Sequence, residues 1–190
     1  MLSILALLGL LAATAAESNE ERLKDLPLLD IDVMTQVEGP LVTYNRTHHT
    51  RTDFRCLSAT RLGNCLGTDC RYMLRARNAS ATSNTYVNET VEIKLMPERN
   101  NSIKTAQYFS TYANLSVTLM LEKKDDNNTC FVVWAKNSDY ENGCELIVKS
   151  SVLPNISREC TDYYEKYCIA KSVQLYNQSC DYNTNDLVYC

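Results

Sequence analysis

Apolar residues recur at every second position through much of this chain. Val91, Ile93 and Leu95 alternate with Glu92 and Lys94, and Leu115, Val117, Leu119 and Leu121 alternate with Ser116, Thr118 and Met120. That period belongs to a strand with one buried and one solvated face. Further strands are predicted at 41–45, 54–60 and 71–77. Denser apolar runs at 129–135 and 145–148 predict strands covered on both faces. Polar turn clusters separate them at 78–84, 98–102, 123–128 and 137–143, and Gly39-Pro40 punctuates the start of the first strand.

The period changes once, near the end. Cys160, Tyr163, Tyr164, Tyr167 and Cys168 fall at three- and four-residue spacings, which predicts a helix over 157–168. Ser157 is placed to cap it and Glu159 adds acid to its first turn. Its tyrosine stripe reads as packing rather than as a ligand site. Residues 17–36 read as a short or broken helix, interrupted by Pro27, and an extended lead-in. A series of short strands followed by one helix describes an antiparallel barrel or sandwich, and the pattern leaves both open.

The first residues belong to neither pattern. Leu2 to Leu11 are almost wholly apolar, and Ala12-Ala13-Thr14-Ala15-Ala16 follows. This run is too short for a span of roughly 20 residues, and a small-residue cleavage site closes it. Residues 1–16 are therefore expected to be a cleaved signal peptide, with 17–190 forming a single domain. The protein is expected to be secreted and extracellular.

Composition narrows the chemistry. The formal charge of −4 lacks the basic footprint of a nucleic-acid binder, and no charge run forms a polybasic membrane surface. Nine cysteines in a short secreted chain read as a disulfide framework. Zinc is disfavoured, because no CxxC pair occurs and the only histidines are the neighbours His48 and His49. That pair lies in a turn-like stretch and is expected in an exposed loop. Sequons at Asn45, Asn78, Asn88, Asn100, Asn114, Asn127, Asn155 and Asn177 predict a glycosylated surface. Without a Ser-His-Asp ordering, a histidine-rich metal site or a glycine-rich phosphate loop, the chain does not read as an enzyme, and no cofactor or metal is implied.

Sparse motifs carry a family resemblance over nearly the whole mature chain. Gly143-Cys144-Glu145-Leu146, Ile156-Ser157-Arg158-Glu159-Cys160 and Tyr176-Asn177-Gln178-Ser179-Cys180 resemble segments of tick salivary lipocalins, including the histamine-binding group. Thr43-Tyr44 followed by Asp53-Phe54-Arg55-Cys56 resembles the first two strands of that family, and 104–114 has its character. The resemblance implies an all-β fold with a C-terminal helix: an eight-stranded antiparallel up-and-down lipocalin barrel, stapled by disulfides. It implies bridges Cys56–Cys180 and Cys130–Cys160. Cys144–Cys168 would make a further strand-to-helix bridge, and the pairing of Cys65, Cys70 and Cys190 stays open.

It also implies a ligand. Histamine-binding members hold their amine with carboxylates and aromatic rings inside the barrel, since a buried cation needs a paired negative charge and gains from aromatic faces. Matching positions here keep Tyr44, Glu89 and Glu145, while Thr47, Phe131, Thr50 and Ile147 replace acidic or tryptophan positions. Glu89 and Glu145 are weighed against a solvated strand face, and Trp134 against core or barrel wall. The candidate ligand contacts are thus Tyr44, Glu89, Glu145, Phe131 and Trp134. The resemblance implies a monomer that sequesters a small host inflammatory mediator, with a biogenic amine such as histamine first. The alternatives are an apolar mediator (leukotriene or fatty acid, against Phe131, Leu119, Leu121 and Met120), or a scaffold that inhibits a host complement or clotting factor.

Overall fold

The structure, a computed structural model, describes residues 28–50, 52–78, 85–97, 103–138 and 141–182. The expected signal peptide, the lead-in as far as residue 27, the Asn100 sequon and Cys190 lie outside the described residues.

Eight strands run in sequence around a closed barrel: β1 (Leu41–Arg46), β2 (Phe54–Arg61), β3 (Asp69–Asn78), β4 (Tyr86–Pro97), β5 (Lys104–Ser110), β6 (Leu115–Lys124), β7 (Cys130–Asn137) and β8 (Gly143–Lys149). Each pairs antiparallel with the next, and β1 closes the ring by pairing with both β8 and β2. The choice between barrel and sandwich is thus settled. Closure removes the free edges that an open sheet would expose.

β5 has no counterpart in the alternation pattern, and its burial explains why. The residues of β5 that line the interior are Ala106, Tyr108 and Ser110, of which two are small, while Phe109 on the other face is half exposed. A strand whose larger apolar side chain faces water does not register as amphipathic.

The two dense runs are buried on both faces for separate reasons. On β7, Phe131 and Val133 pack into the inner core with Leu121 and Ile147. Val132 and Trp134 face outward, beneath α2 (Arg158–Tyr167), with Leu146, Val148 and Tyr164. Ser157 caps this helix, its hydroxyl accepting from the Glu159 amide at 3.4 Å. Cys130–Cys160 and Cys144–Cys168 fasten β7 and β8 to it.

One end of the barrel is stoppered by a single helical turn, α1 (Asp32–Thr35). Ile31 and Met34 enter the inner core from it. Leu29 N–H donates to the Leu121 carbonyl at 2.9 Å, and Lys104 Nζ meets Asp32 at 2.7 Å, so the turn is strapped to β5 and β6.

On the opposite side of the molecule β1 and β2 part company. They pair only at Leu41–Ala59 and Val42–Ser58. Further along, the C-terminal segment with the short β9 (Val173–Gln174) enters between them. Leu175 N–H donates to the Tyr44 carbonyl, and Cys56 N–H donates to the Leu175 carbonyl, both at 2.9 Å. Leu175 is fully buried there. Cys56 takes a left-handed φ of 53°, unfavourable for a residue with a Cβ. The Cys56–Cys180 bridge ties it to the same segment, and Cys65–Cys70 staples the β2–β3 turn.

Candidate ligand-binding site

Inside the barrel lies a chamber of about 190 Å³. Its wall beside α1 is apolar, formed by Ile31, Met34, Ile93 and Leu95, with the rings of Tyr72 and Tyr108 further along. The other end gathers charged groups: Arg46, His48, Glu89 and Glu145 all line it, and Arg75 is a further charged residue of the lining.

Arg46 and His48 arrive there through one irregularity of β1. Leu41 and Thr43 line the chamber, and Val42 and Tyr44 pack outside. The pairing with β8 then slips between Thr43 and Asn45. A bulge of this kind reverses the alternation, so beyond it the even-numbered Arg46 and His48 turn inward. His48 was expected in an exposed loop with His49. Instead it is 3% exposed, and only His49 is open to solvent.

Glu145 is the centre of the polar end. Its Oε1 lies 2.7 Å from His48 Nε2, and its Oε2 accepts a long 3.5 Å contact from the Thr43 hydroxyl. Burial pushes its pKa up, but the hydrogen bond and field of His48, with the charge of Arg46, prevail and hold the carboxyl below its ordinary range. Arg46 is 6% exposed and its Nε has no hydrogen-bond partner; burial lowers its pKa against the opposing charge of Glu145.

Glu89 also lines the chamber, yet its carboxylate is already held. Ser110 Oγ donates to Oε2 at 2.7 Å, and Thr111 donates to Oε1 from its hydroxyl at 2.6 Å and from its amide. Burial raises the Glu89 pKa, and these bonds outweigh it, so the group sits below the usual carboxylate value. The Tyr72 hydroxyl is pushed up to about 12, chiefly by burial. Tyr108 is raised by burial and by the nearby charges of Glu145 and Glu89. Both phenols therefore stay neutral donors.

The remaining candidates are placed elsewhere. Tyr44 stands outside the barrel, its ring stacked on Tyr176 with centroids 5.3 Å apart. Trp134 is on the outer face of β7 under the helix, and Phe131 is packed in the inner core as the cross-strand partner of Ile147. Neither lines the chamber, and Leu121 and Met120 do not line it either, whereas Leu119, Thr50 and Ile147 do. Thr47 is buried, its hydroxyl accepting from the Cys144 amide at 2.9 Å. Of the sequence-predicted contacts, Glu89 and Glu145 line the chamber, and Arg46 and His48, which a strict two-residue period points the other way, line it with them.

Residues 32–182 match the family described as "Tick histamine binding protein". The chain belongs to that family. Japanin from Rhipicephalus appendiculatus, solved bound to cholesterol, is similar in structure, with a TM-score of 0.55 at 12% sequence identity. The match covers 76% of this chain and 96% of Japanin. No curated protein matches the chain in sequence. At that identity Japanin bears on the fold alone, and it supports the closed lipocalin barrel. Membership of the histamine-binding family makes the chain a ligand-binding lipocalin of the tick salivary type.

Proposed function

We infer that the protein is secreted and sequesters a compact, predominantly apolar small mediator of the host, lowering its free concentration and so dampening host defence. One observation carries this reading: both carboxylates of the expected amine cage already have partners within the protein, while the remaining wall is largely apolar. A carboxylate that is hydrogen-bonded internally gains less from a ligand cation, because its first partner must be given up. The chamber volume points to a small occupant. An apolar cavity of about 150 Å³ holds one benzene ring, so 190 Å³ suits a single ring or a short chain better than a sterol. An open interior also favours a small ligand over a scaffold that only presents loops to a host protein.

A biogenic amine is the second reading. The family description favours it, and so does Glu145 Oε2, whose only hydrogen bond is the long contact from Thr43. An ammonium could settle on that oxygen without displacing His48.

Calorimetric titration of the refolded mature protein separates the two. The panel is histamine, serotonin, leukotriene, arachidonate and a neutral single-ring alcohol. Saturable binding of the alcohol, with weaker binding of the amines, is expected. Micromolar or tighter binding of histamine alone would move the assignment to the amine, and silence for the whole panel would end the small-ligand reading.

A further inference from the structure

Neither the alternation pattern nor the family resemblance singles out His48 as a residue of the polar end, and its environment is unusual. The ring is 3% exposed and hydrogen-bonded through Nε2 to Glu145, while Nδ1 is buried without a hydrogen-bond partner. Leaving a buried polar atom unmet is costly, so such atoms are rare. Here the atom belongs to a side chain that lines the ligand chamber.

The backbone that presents the ring is locked in place. Thr47 N–H donates to the Cys144 carbonyl at 2.9 Å, and the Thr47 hydroxyl accepts from the Cys144 amide at 2.9 Å. Opposite stands Gly143. A Cβ there would come within 2.7 Å of Thr47 Oγ1 and 3.0 Å of the His48 Cβ and backbone nitrogen. Only glycine lets β8 pass so close. The imidazole is thus fixed against Glu145 rather than swinging from a loop.

We propose that His48 is a resident imidazole: it occupies the position on Glu145 that a free imidazole would take, and so determines which ligands the chamber admits. The proposal deepens the apolar-mediator reading and rests on it. An intramolecular group competes at an effective concentration on the order of millimolar or more, so a free imidazole meets an occupied acid. With that position taken and the rest of the wall largely apolar, the favoured occupant is a compact apolar molecule, and an imidazole-bearing amine is selected against.

Imidazole itself is the probe. His48→Ala should gain saturable binding of imidazole at millimolar concentration, roughly tenfold or more tighter than the wild type. His48→Gln retains an N–H able to reach Glu145 and should not gain it, and the double variant with Glu145→Gln should lose the gain. Imidazole binding no tighter in His48→Ala than in the wild type overturns the proposal. If that variant does not fold, the ring nitrogens of the folded protein serve in its place. Glu145→Gln should move the His48 Nε2 resonance in a nitrogen-correlated spectrum, and an unmoved resonance equally overturns it. The apolar-mediator reading fails separately, through the absence of any apolar or alcohol ligand for the wild type.

Discussion

Glu89 on β4 reaches Ser110 at the end of β5, its Oε2 accepting from the serine hydroxyl at 2.7 Å, across a place where the two strands no longer pair. The last β4–β5 pair is Lys94 with Gln107. Beyond it Tyr108, Phe109 and Ser110 pair with β6. A cleft on the outside shares Glu89, Tyr108 and Val117 with the chamber wall. The carboxylate is a latch on a seam.

Glu89→Ala is accordingly predicted to speed exchange of whatever the chamber holds. The dissociation rate of a bound fluorescent ligand, followed by stopped flow, should rise roughly threefold or more, because interface and site changes act mainly on off-rates. An unchanged rate would mean that ligands pass only through the barrel's end.

A second acid predicts a pH dependence of stability. Glu122 is buried, its Oε2 without a hydrogen-bond partner among the described residues, and loss of solvation raises its pKa to about 7. Between its ordinary value of 4.5 and about 7 the folded state binds the proton and the unfolded state does not, so stability falls as pH rises through this window. Glu122→Gln should remove that fall. Urea denaturation at pH 5 and pH 8 should show the variant gaining on the wild type by up to about 3 kcal/mol at the higher pH. Parallel behaviour at the two pH values would refute the shift.

The joint between β1 and β2 can be tested from the segment that fills it. Leu175→Ala removes a fully buried side chain and should cost about 2–5 kcal/mol in chemical denaturation. Replacing Cys56 and Cys180 together by serine releases a bridge of sequence separation 124 and should cost about 2–5 kcal/mol. Because both act on one joint, the combined variant should lose less than the sum. Strict additivity would show that the bridge and the leucine act independently.

Glycan mapping by mass spectrometry offers a further check. Asn88, Asn114, Asn127, Asn155 and Asn177 are exposed, whereas Asn45 is half buried with its Oδ1 enclosed. The Thr47 of the same sequon is buried beside Gly143. The protein expressed through a eukaryotic secretory pathway is expected to carry sugar at exposed sites and none at Asn45. A fully occupied Asn45 would contradict the placement of β1.

These tests also mark what could be read in advance. The strands at 91–95 and 115–121 were legible because their inner and outer faces differ sharply in polarity. β5 was not, since its inward Ala106 and Ser110 are small and its outward Phe109 is large. The chamber's charged end failed for another reason. Alternation is a local rule, and a single extra residue between Thr43 and Asn45 reverses everything after it, which turns Arg46 and His48 inward. Nothing in the residue types announces that slip. The helix cap at Ser157 was local and therefore visible, and so was the double burial of 129–135, although which face Trp134 takes depends on a helix that arrives later in the chain.

The segment lodged between β1 and β2 bears on how the molecule is made. Tyr44 and Cys56 leave the ribosome before Leu175 and Cys180, which follow more than a hundred residues later. Until they emerge, the opening strands lack the neighbour that joins them, and Cys56 has only premature partners for its sulfur. Closure of the container thus waits on a segment made late, and an oxidant that acts too early would trap the chain ajar.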